Sequence, residues 1–395
     1  MSEALHALRQ AQIDWRLVLM GAVLVGIALI FNVLSGGIFL SPENLYNIAQ
    51  QTAVVGIVAT VVVLIIVARH IDLSVGSVMG FVGVLVAYLM YTGGWSWPAA
   101  ALAGLAVAIA VSLYQGALTA VLGVPSFVVT LGGLMSFRGA AFLVADGKTQ
   151  PVNDEFFQRL GGGYDGGIGV TASWVLAGLM CAALAWALFS KRRNQHRFGV
   201  QGNPLWLDLA VLAVPVLIVL GFAVAMNSYQ IPNKDAPQGI PIPVLIWAAV
   251  AIALSFIVHR TRFGRYVFAM GGNPDAAALV GIPVRRVTLM LFVLLGVLIT
   301  IAAVVSIARL NAGTNSLGTG MELYVIAAAV IGGTALAGGA GSILGSVLGA
   351  LIMQSLDSGM LLLDVSIGKR MVIIGQVLIA AVVFDVLYRK WTGEQ

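Results

Sequence analysis

Few side chains in this chain could do chemistry, and their spacing argues against bond-making. Gly147-Lys148-Thr149 copies the end of a phosphate-binding loop, but Phe142 stands where that loop needs its first glycine. Gly368-Lys369 is followed by Arg370 rather than by Ser or Thr. The four histidines, His6, His70, His196 and His259, are scattered, and the single Cys181 lies in an apolar run, so neither a metal cluster nor a disulfide framework is expected. Asp208, Asp357 and Asp385 fall near the ends of apolar runs, not in the mid-membrane acid chains that proton-coupled pumps use. The sequence thus predicts no ATP hydrolysis, no catalytic residue, no metal and no cofactor.

What remains is reversible hydrogen bonding. Gln115, Gln354, Ser355 and Gln376 are uncharged polar groups inside apolar runs, and Arg138 lies about 12 residues into a helix expected to start after Pro125. A guanidinium at that depth must face protein, water or a counter-charge, so Arg138 is expected to point inward. Such groups suit the hydroxyls of a polar solute passing between helices, and they equally suit bonds from helix to helix. Both readings stand at each position. Asp72 and Ser74, at a helix start, read as caps.

Gly271 to Arg286 follows the grammar of a single isolated helix. Asn273 reads as its N-cap, Pro274 as its first residue and Gly281 as the left-handed residue that stops it. Asp275 in the first turn and Arg285 and Arg286 beyond the last complement the helix dipole. Between them Ala276, Ala277, Ala278, Leu279 and Val280 make a small apolar surface. About two turns of helix are not stable alone in water, so a partner groove is expected.

Membrane-spanning elements must position all of these groups. Of 395 residues 60% are hydrophobic and 9% charged, and mean hydropathy is +1.00, which excludes soluble classes. The basic residues cluster in particular loops, which points to membrane orientation and not to a nucleic-acid partner. Runs near 20 residues predict an all-α polytopic helix bundle in the lipid bilayer, a single domain over 1–395. Twelve spans are expected, at about 17–34, 47–68, 74–91, 98–121, 126–145, 172–190, 207–226, 242–258, 288–308, 323–338, 342–359 and 371–388. The weakest is 323–338, short and interrupted by glycine.

Lys and Arg concentrate at 191–197, 260–265 and 285–286, which places both termini and the 271–286 loop in the cytoplasm, with a cytoplasmic tail over 1–16. A full crossing by 323–338 keeps Arg389 and Lys390 on that side. The ladder Gly341, Gly345, Gly349 and the pair Gly76, Gly80 predict close helix packing within the subunit. On the opposite side the loops 146–170 and 227–239 are turn-rich surfaces able to receive an external protein.

Asp275-Ala276-Ala277, then Gly281 and Ile282-Pro283, resembles the EAA loop of ABC importer permeases, with Asp where many members have Glu. Ile71 to Ser77, Val124 to Leu131 with Arg138-Gly139, Arg262-Phe263-Gly264-Arg265, and Ile331 to Ser342 resemble the carbohydrate uptake transporter-2 (ribose/xylose-type) family of bacterial ABC permeases over nearly the whole chain. The extra helix pair at 172–226 is similar to that of xylose-type members. The resemblance implies that Asn273, Pro274, Asp275, Ala276, Ala277, Leu279, Val280 and Gly281 form a coupling helix for a separate ATPase subunit with tandem nucleotide-binding domains. It also implies a homodimer in the bacterial inner membrane, served by a periplasmic sugar-binding protein and passing a monosaccharide of the xylose type. Gln115, Arg138, Gln354, Ser355 and Gln376 are then candidates for the translocation path. The alternatives are a related ABC permease for ribose, autoinducer or branched-chain amino acids, and a proton-coupled secondary transporter.

Overall fold

The computed structural model describes residues 15–163, 165–199, 204–231 and 236–392. The expected tail lies outside them as far as residue 14. All twelve apolar runs fold as helices: α1 (Trp15–Leu34), α2 (Pro42–Val67), α3 (Val75–Tyr91), α4 (Trp97–Ala120), α5 (Ser126–Ala145), α7 (Val170–Arg197), α8 (Leu205–Asn227), α9 (Ile242–Arg260), α12 (Val284–Leu310), α13 (Met321–Ile331), α14 (Ile343–Leu362) and α15 (Ile367–Thr392). Three short helices, α6 (Glu155–Arg159), α10 (Arg262–Gly272) and α11 (Pro274–Leu279), lie between them, with two-residue strands β1 (Gln150–Pro151) and β2 (Ala312–Gly313). Ten of the helices are long and apolar enough to cross a membrane. The molecule is an all-α, multi-pass membrane protein.

α2 is the central post. Ser41 caps it by accepting from the Asn44 amide, Pro42 opens it, and its Val- and Ile-rich body is apolar on every side. Such a helix has no polar face to give to water, and 94% of its spanning window is buried against α9, α12, α13 and α14. α7 and α8 are the opposite case, 11% buried and packed chiefly on each other, joined at one end by an Arg192–Asp208 ion pair of 2.8 Å.

The run expected to cross at 323–338 is the main departure. α13 has 11 residues, about 16 Å of helix against about 30 Å of hydrocarbon, and it stops at Ile331. The crossing is instead completed in three pieces. A strap, residues 311–320, returns into the bundle from the end of α12; α13 follows; and a glycine-rich turn brings the Gly339 amide to Val67 O at the far end of α2, 2.9 Å away. A full-length helix is excluded because Gly333, Gly338 and Gly339 all hold positive φ. The glycine ladder packs inside the chain as expected: a Cβ at Gly345 or Gly349 would lie 2.0 Å from the carbonyl oxygen of Gly332 or Ala328.

Candidate functional site: a peg at the end of one helix and a cavity along it

At one end of α2 stand α10 and α11. Thr261 opens α10 by accepting from the Gly264 amide. Asn273 closes α10 with its own amide and opens α11 with its side chain, Oδ1 accepting from the Ala276 amide at 3.0 Å. Pro274 is the first residue of α11, and Gly281 ends it at φ +87°. The caps are those the sequence predicts, but the helix is not isolated; it is the second of a pair sharing one cap residue. Its faces also divide. Ala277 is buried against the rest of the chain, whereas Leu279 is 89% and Val280 78% exposed, with Asp275, Ala276 and Ala278 exposed beside them. Ala277 therefore fastens the peg to its own chain, and Leu279 and Val280 form an exposed apolar surface.

Arg69 ties this peg to α2. Just past the helix end it turns to φ +65°, and its guanidinium donates from Nε to Gly271 O at 2.7 Å and from Nη2 to Gly272 O at 2.6 Å. Those are the last two carbonyls of α10, where a cation also meets the negative end of the helix dipole. Next to it, His70 Nε2 lies 3.5 Å from Thr288 Oγ1, and burial pushes the imidazole pKa below its ordinary value, so the neutral form is held at neutral pH.

Farther along α2, beside residues 51–55 near its middle, a cavity of about 310 Å³ opens among α2, α3, α12, α13, α14 and the strap. Gln51, Arg309, Tyr324, Gln354 and Asp357 supply its polar wall, and Val54, Val55 and Met79 its apolar wall. Gln354 Nε2 donates to Gln51 Oε1 at 2.7 Å. Asp357 Oδ1 accepts from Tyr324 Oη at 3.0 Å and from Arg370 Nη1 at 3.2 Å. The strap is held from three directions. β2 pairs antiparallel with β1, and Arg138 Nη1 donates to Asn315 O at 3.1 Å and Leu317 O at 2.7 Å. Gly76 of α3 approaches so closely that a Cβ there would lie 2.2 Å from Gly318 O, which no other residue type permits without displacement. A second cavity, about 350 Å³ between the peripheral α1 and α15 and the inner α13 and α14, has a mostly aliphatic lining and offers little to a polar solute.

The five candidates for a solute path separate accordingly. Gln354 lines the cavity. Arg138 points inward as expected, onto strap carbonyls. Gln115 is buried away from the cavity, donating to Ser74 Oγ at 2.9 Å in a network where Asp72 Oδ1 accepts from both the amide and the hydroxyl of Ser74. Ser355 is buried but lines no part of the cavity, and Gln376 is exposed on the outside of α15. The structure thus removes Gln115, Ser355 and Gln376 from the wall. It adds Gln51, Arg309, Tyr324 and Asp357, which sequence reasoning passed over because each sits at the end of an apolar run, where polar residues are ordinary.

Comparison with known proteins places these features. Residues 44–382 match the family model described as branched-chain amino acid transport system / permease component. The chain is 38% identical over 373 residues to the xylose transport system permease protein of Haemophilus influenzae, covering 93% of this chain and 96% of the relative. It is 36% identical to the corresponding protein of Escherichia coli K12, over 92% and 90% of the two chains. The ribose import permease protein of the same organism is 32% identical, over 88% and 87%. No solved structure matches the chain.

Proposed function

This chain belongs to the family of branched-chain amino acid transport system permease components, and from that membership we infer that it is the membrane subunit of an ATP-driven importer for a monosaccharide of the xylose class. It is a multi-pass protein of the bacterial inner membrane. One observation carries the reading: an unbroken buried helix, α2, has a solvent-exposed capped peg clamped at one end and a hydrogen-bonding cavity beside its middle, at residues 51–55. A separate ATPase with tandem nucleotide-binding domains seats Leu279 and Val280 in a cleft, and its closure moves α11, α10 and, through Arg69, α2.

In this reading the peg face is cytoplasmic, with both termini, and the cavity face receives a periplasmic sugar-binding protein on the 146–170 loop. β1 in that loop pairs with the strap, so a docked protein would bear on the cavity rim directly. A second permease copy completes the unit. Gln376, facing out of α15, supports contact there, because an amide facing hydrocarbon lacks the partner that a neighbouring helix supplies. The peripheral pair α7 and α8 is an addition that leaves this machinery intact.

The test is reconstitution in liposomes. D-xylose should accumulate only with permease, ATPase, loaded binding protein and ATP together. Accumulation by the permease alone on a proton gradient would overturn the reading, and competition by ribose, allose or leucine stronger than by xylose would change the substrate class.

A further inference from the structure

The cavity's hydrogen-bond capacity is only partly used. Gln51 Oε1 and Gln354 Nε2 are spent on each other, and Asp357 Oδ1 is spent on Tyr324 and Arg370. Among the described residues no hydrogen bond engages Gln51 Nε2, Gln354 Oε1 or Asp357 Oδ2. Arg309 is the largest unspent group. It lines the cavity at the end of α12, has no ion pair or side-chain hydrogen bond among the described residues, and its Nε is buried without a partner. A buried unbonded guanidinium nitrogen is costly, and a fork of five N–H donors matches two adjacent oxygens on one ligand.

We propose that this cavity is a binding site for an electrically neutral polyol of aldopentose size, in which Arg309 donates to the solute's hydroxyl oxygens. The proposal rests on the transport reading and says which residue the solute meets. A hydroxyl both donates and accepts, so a polyol can use the Arg309 and Gln51 donors together with the Gln354 and Asp357 acceptors. The charge of Asp357 is already shared with Arg370 and Tyr324, so it is poorly placed to hold an ammonium group, and a zwitterionic amino acid is therefore the worse match. Val54, Val55 and Met79 present an apolar wall to the C–H face of a ring. The volume of about 310 Å³ is at the small end of the roughly 300–1,000 Å³ of ligand pockets, as a single sugar ring requires.

The experiment uses the full chain purified in lipid nanodiscs without partners, read by saturation-transfer NMR with D-xylose, D-xylonate and L-leucine as probes. D-xylose should give the strongest transfer. Arg309→Met should weaken its apparent affinity at least about tenfold, the loss expected when a hydrogen bond from a charged donor is removed. Arg309→Lys, a safer variant for folding, should fall between, and Leu217→Ala, exposed on the peripheral α8, should leave the signal unchanged. Undiminished binding by folded Arg309→Met or Arg309→Lys, or displacement of xylose by xylonate or leucine at lower concentration than by xylose itself, overturns the proposal. If the wild-type protein binds no sugar while the complete importer still concentrates xylose, the site assignment falls and the transport reading stands. Concentration of leucine in place of xylose removes both.

Discussion

At its Arg69 end α2 meets a peg whose opening cap, body and stop all lie within residues 261–286, whereas nearer its middle, at Gln51, it meets Gln354, 303 positions away in the chain. The peg is held by local signals, an N-cap bond, a proline and a left-handed glycine, with one long-range clamp from Arg69. The cavity has almost no local definition. Its wall is drawn from α2, α3, α12, α13, α14 and the strap, and none of these elements would form it alone. A surface that a separate protein must grip benefits from being rigid by itself. In the proposed transport cycle the cavity opens and closes, and groups drawn from different helices can change their mutual positions without unfolding.

The contrast can be broken most forcefully at the peg. Ala277→Arg would drive an unpaired guanidinium into packed core, a loss of several kcal/mol, and should abolish the monodisperse protein seen by size-exclusion chromatography. Leu279→Arg, two residues on and exposed, should leave that profile intact and abolish ATP-driven uptake. Normal accumulation of the first with normal transport by the second would mean that the two faces of α11 are assigned the wrong way round.

Arg69→Gln comes next. It removes two charge-assisted bonds, each worth about 1.5–3 kcal/mol, between α2 and the α10–α11 junction. Solute-stimulated uptake should fall at least about tenfold while the ATPase still co-purifies, with partial recovery in Arg69→Lys. Loss of the ATPase along with uptake would reduce Arg69 to a structural brace. Beside the cavity, Gly76→Val forces the strap away at a cost of about 1–3 kcal/mol. Thr319→Cys, in a background where Cys181 is replaced by Ser, should then react faster with an impermeant maleimide; an unchanged rate would show that the strap does not depend on that contact.

The smallest effect concerns His70. Its pKa is lowered in the folded protein, so the unfolded chain binds the extra proton first, and stability falls as pH drops below the ordinary histidine value of about 6.5. The melting temperature should decline between pH 7 and pH 5.5, and His70→Gln should flatten that decline.

Much of the fold was legible because twelve apolar runs can do little in a bilayer except become helices. The peg was legible to the residue, since Asn273, Pro274 and Gly281 act on their immediate neighbours. Legibility ended where distance began. Composition alone did not tell whether the segment from Ile331 to Gly341 would stay helical; the close approach to Val67 and the positive φ of three glycines decided that. Gln115, Gln354 and Gln376 look alike as polar residues in apolar runs, yet one is a helix-to-helix brace, one a cavity wall and one an outward-facing amide. Arg69 and Arg309 were visible only as loop-side charges.

The sequence by itself determined the long apolar helices and the caps of the peg, because these depend on residue type and on spacings of a few positions. Tertiary structure decided which polar groups share a chamber, which face of α11 is left open, and that one crossing is made of a strap, a short helix and a turn. Those outcomes depend on how helices far apart in the chain lie against α2, and side-chain direction around a buried helix cannot be assigned until its neighbours are in place.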